Sequence, residues 1–264
     1  MSIDDLLSDA KYYEAYMNAQ ASIKRSLKSP NFSAFMDISN IIGKFLECNQ
    51  FVFAGQLVES VLKHFASHPS KLNDDDLSSH LLELLDCLSL SSNTDISKVI
   101  SPSLDNLHKN CPQQHRPSIA IRLACCHLSL NNPSSAQHVL VTELLESRDS
   151  AIVEDLLDAL FDVYGRIANE LSFTEMSFAC ARIILFFASK SLLYISKTFW
   201  QMLLDAGFIS SQSIINFVGT VLELCDSTYP DKPTLFEALK TPFQGVLKQD
   251  EEISRYYQKI GQVW

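Results

Sequence analysis

Apolar residues recur at intervals of three and four along almost the whole of this 264-residue chain. That is the period of helices with one buried stripe, and it excludes the strict alternation of a half-buried strand. Tyr12, Tyr16, Ala19, Ile23 and Leu27 form one stripe of a helix expected from about Asp4 to Lys28, which Pro30 stops. Phe35, Ile38, Ile42 and Phe45 mark a second helix. Ala54, Leu57, Val58, Val61, Leu62 and Phe65 mark a third before Pro69, and Leu77, Leu81, Leu84 and Leu88 a fourth. Only seven glycines occur. A large β-sandwich or a loop-rich α/β fold needs many turn residues at positive φ, so the scarcity favours helices joined by short connections.

The punctuation agrees. Asp74 to Asp76 suit the positive end of the helix that follows, and capping is the better reading of that run than acid-base chemistry. Ser101-Pro102, Arg116-Pro117 and Asn132-Pro133 read as helix starts, because a first helical residue needs no N–H. Ser172-Phe173-Thr174-Glu175 is a capping box, with Leu171 and Met176 as its hydrophobic staple. Leu192, Ile195, Phe199 and Leu203 end at Ala206-Gly207, where Gly can take the left-handed position after the helix. Tyr229 to Pro233 reads as a loop, and Ile253, Tyr256, Tyr257, Ile260 and Trp264 lie on the last helix. About a dozen helices with short connections amount to stacked antiparallel pairs. Aligning Ala54 with Ala136 as the small residue of a tetratricopeptide-type second helix sets Val58 and Val61 against Leu140 and Glu143. The expected fold is all-α: a right-handed α-solenoid of antiparallel helix pairs, tetratricopeptide-like, forming a single helical-repeat domain over residues 1–264.

Chemistry is sparse. There is no glycine-rich phosphate loop, no HExxH, no GxSxG and no CxxC in the sequence. His64 and His68 stand four apart but lack an acidic companion, and a solvated helix end is the better reading. Cys126 and His127 are adjacent on a helix and point in different directions, so they make no nucleophile pair. No catalytic residue, cofactor or metal is expected. The seven cysteines are odd in number and mostly apolar in setting, which reads as buried thiols in a reducing compartment. With 21 Lys plus Arg against 31 Asp plus Glu the net charge is −10, and no basic stripe suits nucleic acid. The N-terminus lacks a secretory pattern, and the most apolar run, Ile183 to Ala188, is too short to cross a membrane. Tyr12, Tyr13 and Tyr16 are left as either core packing or a protein-binding face.

Three segments resemble the guided-entry-of-tail-anchored-proteins factor four family, known in animals as the 35-kDa subunit of the transmembrane-domain recognition complex. They are Tyr12-Tyr13-Glu14-Ala15; Phe45-Leu46 with Gln50 and Leu57 to Leu62; and Tyr257-Gln258-Lys259-Ile260-Gly261-Gln262. The resemblance implies a non-enzymatic cytosolic scaffold. Its N-terminal half, residues 1–130, would face the tail-anchored-protein targeting ATPase. Its C-terminal half, residues 131–264, would hold a ubiquitin-like-domain adaptor or a scaffold chaperone. The ATPase face implied is Tyr12, Tyr13, Tyr16, Gln56 and Lys63, with Gln56 and Lys63 standing where the family usually carries Asp and Glu. Tyr229, Tyr257 and Ile260 are implied as C-terminal contacts. The other reading is a helical architectural subunit of a proteasome-lid or vesicle-coat type assembly.

Overall fold

The computed structural model describes residues 1–28, 30–90 and 92–263, Phe32 by its backbone alone. Trp264 lies outside the described residues. Fifteen α-helices and no strand occur among them. The first eight are α1 (Ile3–Ser8), α2 (Tyr12–Ser26), α3 (Phe32–Glu47), α4 (Phe51–Ser67), α5 (Asp75–Asp86), α6 (Thr94–Asn110), α7 (Arg116–Ser129) and α8 (Pro133–Glu146). The others are α9 (Ser150–Ala168), α10 (Phe173–Ser189), α11 (Leu193–Asp205), α12 (Gln212–Asp226), α13 (Lys232–Leu239), α14 (Gln244–Gln249) and α15 (Glu251–Gly261). Two compact units result, Met1–Arg148 and Asp149–Trp264. The division falls between α8 and α9 and not at residue 130, because α8 packs on α7 as its hairpin partner.

The connections explain why so few glycines suffice. Ala10, Asn49, Asn131, Ser191 and Gly207 all have φ between 55° and 72°. Each ends a helix by the same pair of bonds. After α3, for instance, Gln50 N–H donates to the Phe45 carbonyl and Asn49 N–H to that of Leu46; after α11, Phe208 N–H donates to Leu203 and Gly207 N–H to Leu204. This double closure satisfies the orphan carbonyls and turns the chain directly into the next helix. Only Gly207 takes the left-handed conformation without a Cβ penalty. The others cost about 1 kcal/mol each. Ser191→Gly, at an exposed turn, is therefore expected to stabilise the protein by about 0.5 kcal/mol after the added unfolded-state entropy, readable as a raised urea midpoint.

Two expected boundaries are corrected. The helix expected from Asp4 to Lys28 is two, α1 and α2, because the turn at Ala10 lets Leu6 and Leu7 fold back into the core. Pro102 does not start a helix; it lies inside α6. An interior proline costs about 3 kcal/mol. The stripe Ile96, Ile100, Leu104 and Leu107 continues in register across it, fully buried, and each such side chain returns about 1.5–3 kcal/mol. Lys98 and Pro102 are both exposed, so the carbonyl deprived of its donor faces water. Burial wins.

Other local readings hold. Asp74 caps α5 through Asp76 and Leu77 N–H, Pro117 and Pro133 open α7 and α8, and Ser172 with Glu175 forms the capping box of α10, where Met176 is buried. In the first unit α4 packs on α6, and Ala54 and Ala136 are both fully buried, as the repeat alignment requires. In the second unit α10 is central and touches α9, α11, α12 and α15. The last helix therefore returns to α10 rather than extending the stack in chain order.

Candidate functional site

α2 and α4 lie side by side in the first unit. On α2, Tyr13, Met17 and Gln20 share a face by their spacing; on α4, Val52, Gln56, Glu59 and Lys63 do the same. Tyr16 joins the two stripes. Its ring stacks on Phe53 with centroids 5.0 Å apart, and that of Tyr13 lies 6.4 Å away. The Tyr16 hydroxyl accepts a hydrogen bond from Gln20 Nε2 at 3.1 Å. Burial, then the Glu59 carboxylate and Tyr13, hold the phenol above its ordinary pKa.

The three tyrosines thus divide. Tyr12 and Tyr16 are half-buried and pack against the core, whereas Tyr13 is 65% exposed. Met17 and Val52 are exposed as well. Gln56 is half-buried, and its carbonyl accepts from Ser60 Oγ at 3.0 Å. Lys63 is exposed and paired one turn back with Glu59 at 2.9 Å. Of the five expected residues, Tyr13, Tyr16, Gln56 and Lys63 lie on the neighbouring stripes of α2 and α4, whereas Tyr12 turns toward the core. Met17, Val52 and Glu59 complete these stripes. Their signal was present as spacing, Met17 four residues after Tyr13 and Val52 four before Gln56, but nothing in the sequence alone joined the two helices.

In the second unit Tyr229 is exposed at the lip of an apolar groove of about 310 Å³. Leu224 from α12 and Leu235 and Leu239 from α13 line it. The loop is shorter than expected, since α13 begins at Lys232, whose Nζ donates to the Cys225 carbonyl at 3.0 Å. Tyr257 and Ile260 are not surface residues. They are 1% and 2% exposed. Tyr257 stacks on Phe236 with centroids 4.0 Å apart and donates its hydroxyl to the Phe236 carbonyl. A Cβ at Gly261 would come within 2.8 Å of the same ring. The closing motif Tyr257 to Gln262 therefore docks α15 over α13, and it is assigned to packing and not to a partner.

Among the described residues no group of three His, Cys, Asp or Glu is arranged to hold a metal. His64 stacks on His68 at 4.7 Å, and Lys71 Nζ sits 3.1 Å from His64 Nε2, where a metal would need to approach. Burial first, then Lys71, lowers the His64 pKa. Cys126 is fully buried, and burial pushes its thiol up to about 12, so it supplies no thiolate. Among the described residues no helix is long and apolar enough to cross a membrane.

Compared with known proteins, residues 33–264 match the sequence model of the family described as GET4, Golgi to ER traffic protein 4. The matched span contains α4, Tyr229 and the closing motif, and starts after α2. No curated protein matches the chain.

Proposed function

The chain belongs to the GET4 (Golgi to ER traffic protein 4) family, and from that premise we propose that it is a cytosolic, non-enzymatic adaptor in the delivery of tail-anchored membrane proteins. The face formed by α2 and α4 receives the targeting ATPase. The groove beside Tyr229 receives the ubiquitin-like-domain adaptor or scaffold chaperone that brings the client. Each unit then carries one interface, and the client passes between the two partners without exposure to water.

The observation that supports this reading best is Tyr13. It presents a large aromatic side chain to solvent beside Met17, while Tyr16 behind it is fixed by Phe53 and Gln20. A rigid aromatic anchor with little rotamer entropy to lose is what binding hot spots are made of. Affinity capture of the tagged chain from its native cytosol should recover a P-loop targeting ATPase. Tyr13→Ala should weaken that binding by about 2 kcal/mol, close to thirtyfold. Tyr13 is the informative position because its exposure leaves the fold intact, whereas Tyr12→Ala also removes core packing. Recovery of proteasome-lid or coat subunits in place of the ATPase would replace this reading by the architectural one.

A further inference from the structure

We infer that α15 is a strap that fixes where α13 stands, which makes Tyr257 and Gly261 positioning residues for the apolar groove walled by α13. Their effect on a partner rests on the reading that this groove receives the ubiquitin-like-domain adaptor or scaffold chaperone. The inference starts from how α13 is attached. It has eight residues, all described, and of these only Phe236 is buried. Leu235, Ala238 and Leu239 share a neighbouring face by their spacing and line the groove together with Leu224 of α12. A lone helix of about two turns is unstable in water. α13 therefore keeps its place through the Phe236 anchor and through its first residue, where Lys232 Nζ donates to the Cys225 carbonyl at 3.0 Å.

α15 grips that anchor at two points. Tyr257 stacks on the Phe236 ring with the planes 12° apart, and its hydroxyl donates to the Phe236 carbonyl. This carbonyl is one of the last four of α13, which have no donor within the helix, and the Lys240 N–H just past the helix end donates to Glu237 at 3.2 Å. One side chain thus clamps the anchor and closes the end of the helix. Gly261 is the second point. A Cβ there would stand 2.8 and 2.9 Å from two carbons of the ring, inside the roughly 3.5 Å at which carbons pack. The other end of α15 is fixed in turn, because Asp250 caps it and pairs with Arg182 of α10. Contacts therefore run from the central helix of the second unit, through α15, to the groove wall. Leu235 and Leu239 lie within one turn of Phe236, so a displaced anchor carries the groove lining with it.

The test is amide hydrogen exchange of the full chain, resolved along the sequence. Tyr257→Phe keeps the stacked ring and removes only the hydroxyl. It should speed exchange of residues 236–240 about tenfold, the factor that one lost hydrogen bond to a buried group is worth, and leave α10 and α12 within about twofold of wild type. Gly261→Ala keeps the hydroxyl and pushes on the ring. It should speed the same amides, and weaken binding of the ubiquitin-like-domain adaptor recovered with the tagged chain by about fivefold, because the wall is no longer preorganised. Tyr229→Ala, at the lip of the groove, should weaken that binding with exchange in α13 unchanged. Exchange that rises evenly over the whole second unit, or that stays within about twofold of wild type at residues 236–240 in both α15 variants, would overturn the strap. Adaptor affinity unchanged in Gly261→Ala would overturn the positioning role. Local exchange as expected, with no adaptor bound by the unmodified chain, would leave the strap standing and overturn the reading of the groove.

Discussion

Asp250→Ala is expected to destabilise the second unit by about 2 kcal/mol, through two losses of roughly equal size. Asp250 is 6% exposed and joins the start of α15 to α10. Its Oδ1 accepts from the N–H of Glu252 and of Ile253, both at 3.0 Å, which is the cap of α15. Its Oδ2 accepts from Arg182 Nε at 2.7 Å and lies 2.6 Å from Nη2. Losing the cap costs about 1 kcal/mol. The ion pair contributes about 1 kcal/mol more and no higher, because Arg182 is nearly half exposed and water replaces part of what it loses. Asp250→Asn separates the two. Asn keeps the capping oxygen and surrenders the charge, so about half of the stability should return.

The pH dependence has a definite sign. Burial of Asp250 raises its pKa, but the hydrogen bond and charge of Arg182 and the capping N–H groups outweigh it, and the carboxyl is held below its ordinary value. A carboxyl whose folded pKa is depressed stabilises the fold above its unfolded pKa, near 4, and loses that contribution as pH falls through the folded value. Thermal melts should therefore show a constant gap between the wild-type chain and Asp250→Ala from pH 7 to pH 5, narrowing below pH 4. A gap that does not narrow at all as pH falls from 5 into the acid range would mean that the carboxylate is not what holds α15.

How much of this was legible beforehand depended on range. Signals within four residues were readable because they act within one turn: the box at Ser172 and Glu175, the cap at Asp74, the prolines at 117 and 133, the left-handed Gly207. The turn at Ala10 was not, since alanine carries no left-handed preference and only the burial of Leu6 and Leu7 forces it. Pro102 misled for the complementary reason, its local cost being overruled by a buried stripe about three turns long. The site divides in the same way. Helical spacing placed Tyr13 apart from Tyr12 and Tyr16, but only tertiary packing sets Tyr16 on Phe53. Periodicity put Tyr257 and Ile260 on one face of the last helix without saying what would cover it. Phe236 covers Tyr257, so residues that looked like contacts are core.

Glu143 is where the repeat pattern and the chemistry disagree, and its replacement carries the largest expected effect. In the alignment of α8 with α4 it occupies the place of Val61, and both are buried. A carboxylate there survives by its partners. His108 Nε2 lies 3.0 Å from Glu143 Oε1, and Arg116 Nη2 donates to the same oxygen at 3.0 Å while Nη1 donates to Glu146 at 2.9 Å. Glu143→Ala should cost about 3 kcal/mol, because it strands a nearly buried imidazole without its acceptor and leaves a void between α6 and α8. The double replacement His108→Leu with Glu143→Leu should instead fall within about 1 kcal/mol of wild type, since two apolar side chains of similar volume need no partner. Arg116 is a quarter exposed and retains Glu146, so it is not stranded in turn. Urea denaturation of His108→Leu alone, Glu143→Leu alone and the double measures the coupling, expected to exceed about 2 kcal/mol. If the double variant is as unstable as the singles together, the pair is not mutually dependent, and α8 is held to α6 by packing in which the ions take no part.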